Sequence, residues 1–414
     1  MRSSSMRWGT HRHLKNHRPV VRQGEDDSFM KLAIIQDWLT SLGGAEKCIE
    51  ALCELWPDAD IYTLIYRPDR FRDSLISHHR ITTSFAQRLP WSTTKFRHYF
   101  ALYPYAIEQF DLRDYGIVVS FSAAFAHGVL TDPDQAHICY KHTPMRYAWS
   151  GYQEYLADPQ LRRLSKRLVA KLILHRMRRW DYAAAQRPDI MLANSEEVRR
   201  RIWKYYRRES QVVHPPVDVP GDGTHVDQTR HDYFVNIGRL VPYKRVDLIV
   251  QAFAQVPERH LVVAGSGPEL NRLKEMAKGL SNVDILGFVD ESQKIELLAR
   301  ARAFVFAAHE DFGIAPVEAQ AYGTPIIAYG RGGALETVVE GQTGVFFEKQ
   351  TVESLLQGIR VFEQMEHAFD PNAIRSHART FGKEIFQRRF KTVVEECANR
   401  QECGVRPPVS HGRL

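Results

Sequence analysis

The chain lacks the features that mark several large protein classes. No apolar run approaches the roughly 18 consecutive residues that span a bilayer, so an integral membrane protein is not expected. Cysteine is scarce: the chain has five, without Cys-x-x-Cys spacing, which favours a reducing compartment over a disulfide framework or a zinc site. His-Glu-x-x-His and a phosphate loop ending in Gly-Lys-Ser/Thr are also absent. We therefore expect neither a metal nor a nucleotide held by a phosphate loop.

The composition is that of a globular protein with more than one domain. At 414 residues the chain exceeds what a single hydrophobic core organises. Its 44% hydrophobic and 25% charged residues are ordinary for a folded protein. The net charge of +7 implies an anionic partner, which can be a phosphate, an anionic membrane or nucleic acid. Net charge alone does not choose among the three.

Both ends and one internal stretch are polar and are expected to lie outside the folded domains. Residues 1–29 lack an apolar segment, so we expect no secretory signal but a disordered tail, or the product of a start codon upstream of Met30. The segment 220–232 is the best linker candidate. The predicted organisation is a tail at 1–29, a first domain at 30–219, a second domain at 220–381, a helix at 382–400 that packs back on the first domain, and a disordered tail at 401–414.

Short apolar runs alternate with helical patterns in both halves, which predicts two doubly wound α/β domains with parallel sheets. The strands predicted in the first half lie at 30–35, 61–66, 116–121, 137–142 and 190–194. Those predicted in the second half lie at 233–237, 261–264, 283–286, 303–308, 325–329 and 344–347. Because such folds bind ligands outside the carboxyl ends of their strands, the residues that follow each strand are the site candidates.

Two loops of the first half carry candidate residues. Gly43-Gly44 lies between the strand at 30–35 and an apolar-periodic helix through Leu55, where backbone amides can approach a phosphate or sugar. His142 lies at the carboxyl end of another strand, because Pro144 blocks further pairing. A lone histidine is often structural, but this position and the cationic neighbours favour a role in the cleft.

The segment 161–180 is predicted to form a strongly basic amphipathic helix. One stripe of this helix consists of Leu161, Leu164, Leu168 and Leu172. We expect the stripe to pack on the protein core, as most such stripes do. The arginines of the same helix can alternatively lie against anionic headgroups or a lipid-linked pyrophosphate.

The second half carries two glutamates at a strand–helix junction. Glu310 lies just past the strand at 303–308, and Glu318 lies one turn inside the next helix, whose first turn suits Pro316. The alternative is that both are solvated surface carboxylates. Between them, backbone amides can face an anion at the helix N-terminus: those of Gly313, Ile314 and Ala315.

Two cations follow the first strand of the second half. Arg239, as a planar fork, and Lys244, as a point charge, can converge on a diphosphate, although two exposed cations are the alternative. The run Gly-Ser-Gly-Pro-Glu at 265–269 is similar to a dinucleotide fingerprint but lacks the third glycine. A nicotinamide site is therefore not expected.

Taken together, these motifs resemble the retaining glycosyltransferases of family 4, which have the GT-B fold of two Rossmann-like domains facing a cleft. The resemblance runs from about residue 30 to residue 397 and is strongest in the second half. There GRLVPYK, GSGPE, LGFV, the two glutamates and GGALETVVEGQTGVFF stand in family order. Each motif is weak alone, but their joint occurrence is specific. Residues 1–29 have no counterpart in the family pattern.

The resemblance implies the roles of the candidate residues. Arg239 and Lys244 hold the donor diphosphate, and Glu318 binds the ribose hydroxyls. Glu310 lies beside the transferred sugar near His142, and these two with Arg239 and Lys244 form the implied catalytic set. The other implied donor-binding residues are Gly43, Gly44, Ser266, Val289 at the base edge, Phe312, Gly313, Ile314 and Ala315.

The implied chemistry needs no metal. A departing sugar leaves negative charge on its phosphate, which cations and helix N-terminal amides can stabilise. The resemblance implies front-face transfer, in which the leaving phosphate helps to deprotonate the acceptor. A double displacement needs two carboxylates about 5 Å apart across the bond, so it is not expected of Glu310 and Glu318.

The segment HTPMRY at 142–147 and the GGALETVVEG stretch most resemble bacterial mannosyltransferases of surface polysaccharide assembly. This implies transfer of a hexose, mannose from GDP-mannose, to a polysaccharide or a polyprenyl-diphosphate-linked glycan. A UDP-sugar-dependent glucosyl- or N-acetylhexosaminyltransferase is the alternative, and a nucleotide-sugar-binding protein without turnover is another. Nucleic acid is not an expected partner, because the basic residues lack aromatic stacking platforms. The expected location is the cytoplasm, peripheral on the anionic inner face of the plasma membrane.

Overall fold

The computed structural model describes residues 31–157, 164–221 and 230–402. The predicted tail at 1–29 lies outside the described residues, as do most of the predicted linker at 220–232 and residues 403–414 of the other tail. None of the helices in the described ranges has the length and hydropathy of a membrane-spanning segment.

The first half of the chain forms a sheet of seven parallel strands in the order β3-β2-β1-β4-β5-β6-β7. Its strands are β1 (Leu32–Leu39), β2 (Asp60–Tyr66), β3 (Ile81–Thr83), β4 (Ile117–Ser122), β5 (Ala136–Lys141), β6 (Ile190–Ala193) and β7 (Gln211–Val212). The α-helices of this half are α1 (Gly44–Leu55), α2 (Tyr103–Glu108), α3 (Tyr152–Leu156), α4 (Leu164–Ala184) and α5 (Glu196–Tyr206). β3 and β7 were not predicted, because they are short strands at the two edges of the sheet.

The second half forms a sheet of six parallel strands in the order β10-β9-β8-β11-β12-β13. Its strands are β8 (Tyr233–Ile237), β9 (His260–Ala264), β10 (Val283–Gly287), β11 (Ala303–Phe306), β12 (Ile326–Tyr329) and β13 (Gly344–Phe347). Its helices are α6 (Val246–Phe253), α7 (Leu270–Ala277), α8 (Glu291–Arg300), α9 (Ile314–Ala321), α10 (Ala334–Thr337), α11 (Val352–Met365), α12 (Pro371–Arg379) and α13 (Lys383–Glu402).

Both sheets reverse their strand order beside the first strand of each half. β1 lies between β2 and β4, and β8 lies between β9 and β11. A crevice forms at such a switch point, outside the carboxyl ends of the strands. Each half is therefore a doubly wound domain, as predicted, with its binding edge at the loops that follow β1 and β8.

β1 continues past the predicted end at residue 35 to Leu39, although it contains two polar residues. The Asp37 carboxylate accepts hydrogen bonds from the backbone N–H groups of residues 123–126, at 2.6–2.8 Å. These bonds satisfy a buried carboxylate and hold the loop after β4. A polar residue thus stays inside a central strand, which hydrophobic patterning alone does not predict.

The last helix, α13, belongs to the core of the first domain. Phe386, Phe390 and Val393 lie in one buried cluster with Ile34 of β1 and Val119 of β4. Its N-terminal residue Lys383 pairs with Glu54 of α1 at 2.8 Å, and the helix carries the chain back across the two halves.

The prediction that the leucine stripe of the basic helix packs on the core was wrong. Leu161 lies outside the described residues, and the other three leucines are exposed on α4, by 84%, 58% and 63% for Leu164, Leu168 and Leu172. The helix instead buries Ala170, Leu174, Met177 and Asp181. Asp181 is retained in the interior because its carboxylate accepts hydrogen bonds from Trp149 and Tyr206, both at 2.7 Å.

Candidate functional site

The loops after the strands of both halves line a cavity of about 530 Å³ between the two sheets, here called the first cavity. Ten of the residues proposed from the sequence lie on its walls: Gly43, Gly44, His142, Lys244, Glu310, Phe312, Gly313, Ile314, Ala315 and Glu318. The two domains thus bring residues up to 275 positions apart in the chain, Gly43 and Glu318, to one cleft.

The loop between β11 and α9 forms one wall. Gly313 has φ +88°, a left-handed conformation that glycine adopts without strain, and it caps the N-terminus of α9. The loop rests on the turn before α10, where the Gly333 N–H donates to the Glu310 carbonyl at 2.9 Å. A Cβ on Gly333 would lie 2.2 Å from the Phe312 carbonyl oxygen, so only glycine fits there. The glycine pair of GGALETVVEG therefore supports the loop that carries Glu310.

Glu318 meets two lysines that the sequence did not single out. Its Oε1 lies 3.0 Å from Nζ of Lys47 on α1 and 3.1 Å from Nζ of Lys294 on α8. Burial opposes ionisation of Glu318, but the two ammonium groups outweigh it and hold the pKa of this carboxyl below its usual value. Glu318 is therefore a buried carboxylate that stays charged at neutral pH, and its Oε2 can accept hydrogen bonds from a ligand.

Lys47 also ties the two domains together. Besides Glu318, it pairs with Asp218 at 2.8 Å. Burial disfavours the ammonium form, but these two carboxylates outweigh burial and raise the pKa of Lys47. Lys47, on the first domain, therefore stays protonated at neutral pH and contacts Glu318 of the second domain.

Glu310, on the same β11–α9 loop, pairs with Lys244 at the wall of the first cavity. Nζ of Lys244, in the 3₁₀ turn Pro242–Lys244, lies 2.5 Å from Oε1 of Glu310. Both side chains are largely buried, at 19% and 14% exposure. This ion pair places one positive and one negative group beside the N-terminus of α9, on the wall of the first cavity.

His142 follows β5 directly and lies where the first cavity meets a second one. Its ring stacks on Phe121, with centroids 6.1 Å apart. Burial, aided by the charge of Lys141, lowers the pKa of His142 to about 4. The imidazole is therefore neutral at physiological pH, suited to hydrogen bonding with a hydroxyl and not to carrying charge.

The structure does not bring three proposed residues into the first cavity. Arg239 was expected to converge with Lys244 on a diphosphate, but it lines the second cavity, whereas Lys244 lines the first. Ser266 and Val289 line neither of these cavities. The Ser266 carbonyl instead accepts the N–H of Leu240 at 2.9 Å, so its loop supports the cationic turn.

Other charged contacts join the two domains beside the cleft. The Glu336 carboxylate accepts the backbone N–H groups of Glu196 and Glu197, at 2.8 and 3.3 Å, at the N-terminus of α5. A carboxylate there is favoured by the helix dipole. Arg201 of the same helix pairs with Asp311 of the β11–α9 loop. Ser195 is the N-cap of this helix, and its hydroxyl oxygen accepts the Val198 N–H at 3.1 Å.

Metal ligands do not assemble in this region or elsewhere in the described ranges. Over residues 31–157, 164–221 and 230–402, no group of three or more His, Cys, Asp or Glu side chains is placed to hold a metal ion.

Comparison with known families divides the chain as the sheets do. The model described as "Glycosyltransferase Family 4" matches residues 42–219, and that described as "Glycosyl transferases group 1" matches residues 225–381.

Curated proteins match over shorter stretches. D-inositol 3-phosphate glycosyltransferase of Geodermatophilus obscurus is 31% identical over 226 residues, covering 47% of this chain and 50% of that protein. GDP-mannose-dependent monoacylated alpha-(1-6)-phosphatidylinositol monomannoside mannosyltransferase of Corynebacterium glutamicum is 38% identical over 130 residues, covering 28% of this chain and 34% of that protein. The chain thus spans half or less of the length of these relatives.

Solved structures match over nearly the whole chain. Sucrose-phosphate synthase of Thermosynechococcus elongatus has a TM-score of 0.66 at 18% identity, covering 89% of this chain and 98% of that one. Anabaena HepE in complex with UDP has a TM-score of 0.64 at 16% identity, covering 89% of this chain and all of that one. At these identities the likeness shows the fold, which is GT-B.

Proposed function

Because the chain belongs to glycosyltransferase family 4, we propose that it transfers a hexosyl group from a nucleotide diphosphate sugar, held in the first cavity, to a glycan acceptor. The observation that carries the proposal is that a buried, charged carboxylate, Glu318, and a cation, Lys244, line the same cavity as the N-terminus of α9. A nucleotide diphosphate sugar needs both, since it presents a ribose diol and a diphosphate.

The proposed roles follow from the chemistry of these groups. The Glu318 carboxylate accepts hydrogen bonds from the ribose hydroxyls. Lys244 turns from Glu310 toward the diphosphate, and the amides of Ile314 and Ala315 add donors at the helix N-terminus. Glu310, released from Lys244, and the neutral His142 face the transferred sugar. These groups stabilise the departing phosphate without a metal, and the resemblance to retaining enzymes supports front-face transfer.

We propose mannose from GDP-mannose as the donor, supported by relatives that are named GDP-mannose-dependent mannosyltransferases. UDP-sugars remain the alternative, since a structural neighbour was solved with UDP-glucose. The test is the melting temperature of the wild type with GDP-mannose, UDP-glucose or UDP-N-acetylglucosamine. A ligand at 100 times its Kd adds about 2.7 kcal/mol of stability. At equal concentrations the nucleotide sugar that binds most tightly raises the melting temperature most, and we expect this to be GDP-mannose. A larger rise with a UDP-sugar would reverse the donor assignment.

A non-catalytic nucleotide-sugar-binding protein is distinguished by turnover. Release of GDP or UDP from the sugar that raises the melting temperature supports transfer. Binding without any release, with or without added glycans, supports the non-catalytic alternative.

We propose that α4 docks the protein on an anionic membrane surface, which also brings a lipid-linked acceptor within reach. The proposal rests on the exposed Leu164, Leu168 and Leu172 beside cations of the same helix, including Lys166, Arg167 and Lys171. Leucines can enter the headgroup boundary, and each nearby cation contributes about 1 kcal/mol at an anionic surface. A cytoplasmic location is supported by the free thiols of Cys48, Cys53 and Cys139, all buried.

Co-sedimentation with vesicles tests this docking. Replacing Leu164, Leu168 and Leu172 by Ser should lower the bound fraction on phosphatidylglycerol vesicles at least tenfold, since three apolar side chains no longer enter the bilayer. The matched control replaces three exposed leucines elsewhere, Leu75, Leu286 and Leu335, and should bind like the wild type. Equal binding by both triple variants would refute the role of α4.

A further inference from the structure

The interior of the first domain contains a charged cluster between its sheet and α4. Lys141, the last residue of β5, and Asp181, on α4, are both fully buried. The ring of His127, from the turn after β4, is fully buried with them. Lysine and aspartate are almost never buried completely unless they are paired, so the contacts within this cluster decide what it does.

The contacts of the His127 ring fix where its proton lies. Nδ1 lies 2.9 Å from Nζ of Lys141 and 2.9 Å from Oγ of Ser122. Because an ammonium group only donates, Nδ1 accepts, and the ring proton is on Nε2. Nε2 lies 3.3 Å from Oδ1 of Asp181. The neutral ring therefore accepts a hydrogen bond from the cation and directs its own N–H toward the anion.

The charges of the cluster agree with this arrangement. Burial and the neighbouring charge of Lys141 lower the pKa of His127, so the ring is neutral at physiological pH. Burial opposes ionisation of Asp181, but the contact with His127 and the charge of Lys141 outweigh it and lower the pKa of this carboxyl. The core thus holds one negative and one positive charge with a neutral ring between them.

The segment 142–149, here called the cleft loop, is tied to Asp181 at both ends. Its first residue directly follows Lys141, which the carboxylate reaches through the His127 ring. Its last residue, Trp149, donates the indole N–H to Oδ2 of Asp181 at 2.7 Å. The residues of the cleft loop that line the first cavity are His142, Thr143 and Arg146.

We propose that Asp181 is a positioning residue for glycosyl transfer, acting through Lys141 and Trp149 to hold the cleft loop, and with it His142, at the first cavity. This inference rests on the proposed function and adds to it a fully buried residue outside the cavity walls. Hydrogen bonds to a charged group are stronger and more directional than apolar packing. Misplacing a group at the reacting sugar by about 1 Å can lower the rate about 100-fold.

The test compares two single variants with the variant that combines them. Lys141→Met and Asp181→Asn each leave one buried charge without its partner, so each should lower the melting temperature. The double variant has neither charge and should regain most of the melting temperature, because neutral groups of similar volume replace both. It lacks the anchor at residue 141 and keeps only a neutral acceptor for the Trp149 N–H. The double variant is therefore a stable protein with a loosened cleft loop.

Two measurements on the double variant distinguish positioning from stability. The kcat for release of GDP or UDP should fall at least about tenfold, whereas KM for the donor should stay within about twofold, because the proposed ribose and diphosphate contacts come from the second domain. Hydrogen exchange of the backbone amides at 142–149 should become at least about tenfold faster.

Asp189→Asn is the matched control. The Asp189 carboxylate accepts the N–H of His137 near the other end of β5, at 2.8 Å. This variant should match the wild type in kcat and in hydrogen exchange at 142–149, because the bond that it alters does not reach the cleft loop.

Trp149→Phe tests the other end of the cleft loop and keeps both charges. The phenyl ring can still stack on Tyr205, whose ring centroid lies 4.8 Å from that of Trp149, but the N–H that Asp181 accepts is gone. The kcat should fall about tenfold, and hydrogen exchange at 142–149 should become faster. This variant tests the inference even if the double variant does not fold.

The inference is contradicted if the double variant, with its melting temperature regained, or Trp149→Phe keeps the wild-type kcat or the wild-type exchange at 142–149. The cluster then serves stability alone. If the wild type releases no nucleoside diphosphate from any nucleotide sugar, the proposed function fails, and a positioning role in transfer fails with it. Turnover by the wild type with unchanged turnover by these variants refutes the inference and leaves the proposed function intact.

Discussion

Replacement of Lys244 by Gln is expected to lower kcat for hydrolysis or transfer of the nucleotide sugar by about 10²–10³-fold, the usual cost of removing one donor aimed at developing charge. Lys244 is the cation of the first cavity nearest to the sugar-side carboxylate, 2.5 Å from Glu310. When the nucleoside diphosphate departs it gains negative charge, which this ammonium group stabilises. The measurement is release of GDP or UDP from the donor that stabilises the protein, at saturating donor concentration.

Two further variants distinguish the loss of the positive charge at residue 244 from a general disturbance of the fold. Lys244→Arg keeps the positive charge and should recover part of the rate, because guanidinium also binds phosphate. Lys278→Gln removes an exposed lysine of the same domain and should leave kcat unchanged. A kcat for Lys244→Gln within threefold of the wild type would remove Lys244 from the proposed mechanism.

Replacement of Gly333 by Ala is expected to destabilise the second domain and to weaken donor binding at least tenfold. The added Cβ would lie 2.2–2.5 Å from the carbonyl oxygen, Cα and carbonyl carbon of Phe312, all backbone atoms that cannot turn away. The β11–α9 loop must therefore move, and Glu310 and the α9 N-terminus move with it. Overpacking of this kind costs about 1–3 kcal/mol, which lowers the melting temperature by several degrees.

The matched control for Gly333 is Gly330, three residues earlier in the same loop. A Cβ there would lie 3.5 Å from the Phe346 Cβ, an ordinary contact. Gly330→Ala should therefore keep both the melting temperature and the donor affinity. If Gly333→Ala binds the donor as the wild type does, the loop does not position the site in the way argued here.

Much of the fold could be predicted from the sequence because parallel strands buried on both faces are short apolar runs. The predicted bounds of β8 and β13 match the structure, and the glycine pair at the start of α1 lies in the cleft. The run of Glu310 to Glu318 was also placed correctly at a strand–helix junction, since Gly313 marks the turn. Local pattern was sufficient for these elements.

Contacts between distant segments could not be predicted in this way. In the sequence, Lys47 is an ordinary lysine of an amphipathic helix. Its role depends on contact with Glu318 of the second domain, which lies 271 residues away in the chain. Lys294 gave no signal either, because it lies on an otherwise ordinary surface helix. Periodicity showed that α4 has a leucine stripe but not which face packs inward. The inward face is the one that carries Ala170, Leu174, Met177 and Asp181.

The central claim is that the first cavity binds a nucleotide diphosphate sugar through Glu318 and Lys244. Its most direct test is a calorimetric titration of the wild type and of Glu318→Gln with GDP-mannose and with a UDP-sugar. The account predicts one site per chain in the wild type and at least tenfold weaker binding by the variant, whose amide cannot serve as a charged acceptor for the ribose hydroxyls. Equal affinity in both proteins, or no heat of binding from any nucleotide sugar, would contradict it.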